Sequence, residues 1–200
     1  MPYLKFTNVG ITGISATVPT KIIDNYSYTH FMTESEVSSI IKMTGIEKRR
    51  FSDPETCSSD LSVHAARSLI NSLSIDRKSI DVLIFVSQTP DYRSPPTSML
   101  IADRLGFGKD VGAFDVNLGC SGFVYGLQIA FLYASQAGIN KVLLLNGETK
   151  SKSISSRDKS MSLLFGDGAT AVIVEKINED NPTVMPMNSN GAGSKYIMMP

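Results

Sequence analysis

Asp81-Val82-Leu83-Ile84-Phe85-Val86-Ser87 contains five consecutive apolar residues with no polar alternation. A strand that reads this way is covered on both faces, as strands are in a parallel sheet between helix layers. Lys141 to Asn146 repeats the pattern with Val142, Leu143, Leu144 and Leu145. Between the two runs, Pro95, Pro96 and Thr97 open a helix to Leu105 that Gly106 closes. Ala113 to Asn117 is a short strand pointing at Gly119 and Cys120. Ser121 to Ala137 is apolar on nearly every face, which predicts a helix buried in the centre of a large fold. Strands alternating with helices predict one layered α/β structure.

Outward from this centre the signals are local. Leu4 to Val18 reads as a strand or bent strand buried on both faces, stopped by Pro19. Thr33 and Glu36 form a capping box for a short amphipathic helix over Glu34 to Met43, ended by Gly45. Ser59 to Leu73 carries Leu61, Ala65, Leu69 and Leu73 at intervals of four behind Asp60, a second helix. From Glu148 to Ser160 the chain turns polar. Phe165-Gly166-Asp167-Gly168 then reads as a tight turn into a strand over Ala169 to Glu175, and Val184 to Met187 reads as a further strand.

Composition excludes several functions. The 200 residues carry 19 Lys and Arg against 19 Asp and Glu, balanced in each half, so no basic face is available for nucleic-acid phosphates. The longest apolar tract, Phe123 to Ala134, is far short of the ~20 residues that span a bilayer. Met1 to Gly10 has no signal-peptide pattern, and a cytoplasmic location is the expectation. Cys57 and Cys120 show no metal-ligand spacing, so neither metal nor cofactor is expected.

The chemistry centres on Asp115-Val116-Asn117-Leu118-Gly119-Cys120-Ser121-Gly122-Phe123. It sets a thiol where a strand end meets the start of an apolar helix. Glycines on both sides allow a sharp bend and close approach of a ligand. The helix start leaves unpaired N–H groups and a partial positive charge beside the sulfur, which favours a nucleophilic thiolate. An inert thiol packed as a small hydrophobe fits the same residues. Cys57, in a polar loop, reads as a bystander. His30 and His64 have no spaced partner and read as surface or packing residues. Lys150, Lys152, Arg157 and Lys159 could meet phosphates or simply be solvated, and Arg49 and Arg50 could face an acidic partner or be ordinary surface charge.

The Asp115–Phe123 run, Phe165-Gly166-Asp167-Gly168-Ala169, Thr44-Gly45-Ile46-Glu47 and Asn190-Gly191 together resemble the thiolase superfamily, most closely β-ketoacyl-acyl-carrier-protein (ACP) synthase III. The resemblance implies an α/β thiolase-like half with a mixed five-stranded sheet, residues 1–200 being the N-terminal half of a condensing enzyme that works as a homodimer. It implies that Cys120 takes an acyl group from acyl-CoA or acyl-ACP. Malonyl-ACP would then lose CO2 and attack that thioester, in fatty acid or related biosynthesis. It further implies that the Cys120 N–H is half of an oxyanion hole. A His and an Asn from a second half complete such sites, and neither histidine here stands at those positions, so the chain alone is expected to lack condensing activity. Ser39 and Met43 stand where the family carries a Trp and an Arg that sandwich adenine. Lys159 replaces an Arg as the substrate-binding cation, keeping the charge without the planar fork. Alternatives are a hydroxymethylglutaryl-CoA-synthase-like or polyketide-type enzyme, or a noncatalytic partner that binds acyl chains or carrier protein.

Overall fold

The computed structural model describes residues 1–28, 30–178 and 182–196. Nine strands and four α-helices follow in the order β1 (Tyr3–Phe6), β2 (Val9–Thr17), β3 (Lys21–Asp24), α1 (Glu34–Thr44), β4 (Lys48–Phe51), α2 (Ser58–Ser72), β5 (Ile80–Val86), α3 (Thr97–Arg104), β6 (Gly112–Val116), α4 (Gly122–Ala134), β7 (Lys141–Thr149), β8 (Asp167–Lys176) and β9 (Thr183–Pro186). The main sheet has five strands in the order β2-β8-β7-β5-β6. Strand β5 pairs in parallel with β6 and with β7, whereas β8 runs antiparallel to both β7 and β2. The sheet is therefore mixed, as expected.

The uninterrupted apolar runs have a direct packing cause. Leu83 and Phe85 of β5, Leu143 and Leu145 of β7, and Ala171 and Ile173 of β8 face a core completed by Val63, Ala66 and Leu69 of α2 and Ile101 of α3. Their neighbours Val82, Ile84, Val86, Val142, Leu144, Val172 and Val174 face the opposite core, closed by Ala130, Phe131 and Ala134 of α4. Successive side chains point to opposite faces, so a strand with helices on both sides needs an apolar residue at every position. Helix α4 sits close to the sheet because Gly122 and Gly126 present no side chain to it. A Cβ at Gly126 would fall 2.8 Å from Val86 Cγ2 and 2.9 Å from Leu144 Cδ1. The capping box at Thr33 and Glu36 is formed, and Gly45 closes α1 in the left-handed conformation.

Three expectations change. Leu4 to Val18 is two strands in different sheets: β1 pairs with β9, and β2 lies at an edge of the main sheet with Ile14 63% exposed. An edge strand covered on one face explains why that segment is not wholly buried. Asp167 and Gly168 are already inside β8 rather than in a turn before it. Helix α4 ends at Ala134, and its outer face is open, with Phe123, Val124, Leu132 and Tyr133 all exposed. Its all-round apolar sequence therefore leaves an exposed apolar patch on this side.

Candidate active site

Cys120 lies between the end of β6 and the start of α4, and it is exposed. Topology explains why an open site forms there. The connection from β5 through α3 to β6 crosses the sheet in one direction, and that from β6 through α4 to β7 crosses back over β5. Crossovers of one hand then require α3 and α4 on opposite faces, as found. The chain leaves adjacent strand ends β5 and β6 toward opposite sides, which opens a crevice at their carboxyl ends. Gln88 follows β5 and Cys120 follows β6, so both border it.

No side chain caps the start of α4. Gly122 N–H donates to Gly119 O at 2.7 Å and Tyr125 N–H to Ser121 O at 3.1 Å, while among the described residues Cys120 N–H meets no acceptor. That donor is directed by the same turn that presents the sulfur. Gly119 accommodates the Gln88 amide, since a Cβ there would come 2.7 Å from Gln88 Oε1.

Glu148, at the end of β7, ties the strand ends together. Its carboxylate accepts from Gln88 N–H at 2.7 Å and Thr89 Oγ1 at 2.6 Å, and Thr89 Oγ1 in turn accepts from Thr149 N–H at 2.9 Å. Asp115 caps α3 by accepting from Thr97 and Ser98 N–H, both at 2.8 Å. Asp167 is buried and accepts from Ser52 N–H at 2.7 Å, Ser151 N–H at 2.8 Å and Ser151 Oγ at 2.6 Å. These three carboxylates hold the loops around Cys120 and behind it. The roles of Glu148 and Asp167 escape sequence reading because Thr89 and Ser52, which they join to their own strands, lie 59 and 115 residues away; an acid at a strand end is the local signal.

Residues 114–193 match the family model of 3-oxoacyl-[ACP] synthase III. The β-ketoacyl-[ACP] synthase III of Staphylococcus aureus is 35% identical over 193 residues, covering 96% of this chain and 61% of that protein. Its counterpart from Caldanaerobacter subterraneus is 33% identical over 192 residues, 96% of this chain and 57% of the relative. A 3-oxoacyl-ACP synthase crystal structure from Burkholderia xenovorans superposes with a TM-score of 0.93 at 36% identity, over 97% of this chain and 56% of that one. The chain is similar to synthase III enzymes over nearly its whole length. It spans less than two thirds of the length of these relatives.

The other expected positions separate into distinct places. Lys159 is exposed and pairs with Glu36 Oε1 at 2.9 Å, beside a groove of about 300 Å³ lined by Met32, Ser35, Ser39 and Ile40. The Thr33 backbone N–H, then Lys159, holds the Glu36 carboxyl at about 2. Ser39 thus shares a groove with Lys159, whereas Met43 is 80% exposed outside it. Lys152 donates to Pro54 O and Thr56 O, and Arg157 stacks on Phe31, and both remain exposed. Arg49 is buried, so the carrier-facing reading fails for it, whereas Arg50 is half-buried and donates to Pro19 O and Thr20 O at the surface.

Cys57 is half-buried just before α2, its N–H donating to Asp60 at 2.6 Å. Burial first, then Asp91 and Asp60, pushes its thiol up, which disfavours the nucleophilic form. His64 Nδ1 lies 3.2 Å from Thr17 Oγ1, and His30 packs edge-on against Tyr28. Among the described residues no cluster of three metal-ligating side chains occurs, and no helix is long and apolar enough to cross a membrane.

Proposed function

We propose that this chain carries the acyl-accepting part of a decarboxylating Claisen condensing enzyme with Cys120 as its nucleophile. The observation that carries the reading is an exposed thiol at the carboxyl-end crevice, next to an N–H without an acceptor. In the first half-reaction Cys120 Sγ attacks the carbonyl of an acyl thioester, the new C–S bond forms, and the donor thiol leaves with a proton. The Cys120 N–H supplies one hydrogen bond to the oxyanion of the tetrahedral intermediate. In the second, malonyl-ACP loses CO2, its carbanion forms a C–C bond to the acyl carbon, and the C–S bond breaks to restore the thiolate.

The chain is proposed to be the first half of a longer thiolase-like enzyme, residues 1–200 forming this one unit. The open apolar face of α4 supports this, since a second layer would bury Phe123, Val124, Leu132 and Tyr133. A homodimer through the edge of β6 is likewise proposed, as that edge is unpaired and carries half-exposed Phe114 and Val116. Lys159 is proposed to meet a phosphate of the donor, acyl-CoA or acyl-ACP. Its pairing with Glu36 and the small side chain of Ser39 favour a donor without an adenine nucleotide, hence the acyl-ACP. The cytoplasm is the proposed location.

Mass spectrometry after incubation with acyl-CoA or acyl-ACP tests the central step. An acyl adduct mapped to Cys120 and absent from Cys120→Ala is expected. Persistence of the adduct in that variant, or its absence from a protein that contains the whole enzyme, would overturn the assignment.

A further inference from the structure

Val82, Ile84 and Val86 point from β5 toward the core that α4 closes, and Gln88 comes two residues beyond Val86, where the strand has ended. The apolar run gives way to an amide there. Gln88 is exposed, and its side chain lies over Gly119: a Cβ built on that glycine would meet Gln88 Oε1 at 2.7 Å, Cδ at 2.9 Å and Nε2 at 3.0 Å. These nearest atoms form one planar group, so the amide rests on the main chain immediately before Cys120. A side chain at position 119 would push it away. The backbone beneath is anchored at each step: Ser87 N–H donates to Val116 O at 3.2 Å, Gln88 N–H to Glu148 Oε1, and Thr89 N–H to Ser87 Oγ at 2.9 Å. Among the described residues the Gln88 amide itself makes no hydrogen bond.

An amide both donates and accepts hydrogen bonds, and in an open crevice water serves it. A chain bonded to Cys120 Sγ displaces that water. Consecutive Cα atoms lie about 3.8 Å apart, so the first carbons of such a chain pass within reach of an amide seated on Gly119. An alkyl chain in that position leaves the amide unpaired, whereas one that carries a hydroxyl or keto oxygen replaces the bond that the water made. A site that hydrogen-bonds an oxygen of its substrate rejects the analogue lacking it far more strongly than an apolar pocket rejects a missing methylene. The place of Gln88 therefore bears on which acyl group is accepted.

We propose that Gln88 is a specificity-determining residue, and that the acyl group Cys120 takes up is a short one bearing a hydroxyl or keto oxygen on its β carbon rather than a plain alkyl chain. The inference rests on Cys120 as the acyl acceptor. It adds the class of acyl group and the side chain that selects it.

Competition within one reaction reads the choice. A protein that contains the whole enzyme is offered equal amounts of butyryl and β-hydroxybutyryl thioesters, both on CoA or both on ACP, and peptide mass spectrometry follows the two Cys120 adducts at early times. The β-hydroxybutyryl adduct should form about tenfold faster. Gln88→Met keeps the length of the side chain, removes its hydrogen-bonding groups and leaves the backbone bond to Glu148 in place, so the ratio should fall to about one. A ratio taken within one sample does not depend on how much of the variant is folded, and lost stability cannot imitate the result. Equal adducts in the wild type, or a preference that survives in Gln88→Met, overturns the proposal and leaves Cys120 as the nucleophile. Absence of both adducts overturns the nucleophile and the selectivity together.

Discussion

Asp167→Asn is the substitution whose effect the structure specifies most closely. The two carboxylate oxygens of Asp167 serve three donors, Oδ2 taking Ser52 N–H and Ser151 Oγ, and Oδ1 taking Ser151 N–H. Asparagine keeps the shape but has one oxygen. Whichever way its amide turns, one backbone N–H of Ser52 or Ser151 faces an NH2 group. A hydrogen bond to a charged group is worth about 1.5–3 kcal/mol, and an orphaned buried donor costs about 1–3 kcal/mol. A loss of about 3 kcal/mol follows for a residue only 6% exposed. With a urea dependence of about 2–3 kcal/mol per molar, the unfolding midpoint should fall by about 1 M or slightly more. Asp158→Asn is the matched control. Asp158 also accepts from three donors, Ser160 N–H, Ser160 Oγ and Met161 N–H, but at the surface, where water replaces what is lost. Equilibrium urea unfolding followed by circular dichroism of both variants measures the difference. An Asp167→Asn midpoint within about 0.3 M of wild type would refute the claim that this carboxylate joins β4, the 150s loop and β8.

Two further outcomes follow from the electrostatics. Brief treatment with iodoacetamide at pH 7 should label Cys120 well ahead of Cys57, and Cys57 should gain on it as pH rises, because burial and two acids hold its thiol form; equal labelling at pH 7 by peptide mass spectrometry contradicts this. Glu36→Gln should lower Tm at neutral pH. The folded-state pKa of Glu36 is depressed, from 4.5 to about 2, so the stability its charge contributes is complete above 4.5 and disappears as pH falls toward 2. The Tm gap between wild type and Glu36→Gln should hold steady from pH 7 to 5 and close below it, and a pH-independent gap would show that the charge contributes nothing.

The fold was legible where one residue pattern had one physical cause. Val82 to Val86 and Val142 to Leu145 read as doubly covered strands because each side chain meets one of two cores. The capping box at Thr33 and Glu36 is local chemistry and was legible for the same reason. Order of strands was not. That β8 inserts between β2 and β7 rests on contacts more than 150 residues apart in sequence for β2, and no local pattern records them. Arg49 misled because a basic residue in a polar neighbourhood reads as surface charge, while its bonds to Asn25 and Phe165 depend on segments 24 and 116 residues away.

Helix α4 shows how the same sequence feature can be read correctly and still give the wrong burial. An all-round apolar helix must be covered on every side to be stable in water, and the sheet covers only the side that Gly122 and Gly126 bring close. The remaining side chains, Phe123, Val124, Leu132 and Tyr133, face outward from the helix whose first turn follows the Cys120 sulfur. A layer laid over that face would also wall the crevice at its start. The apolar periodicity of α4 and the openness of the thiol therefore express one requirement: a site that this sheet and its helices build from one side only.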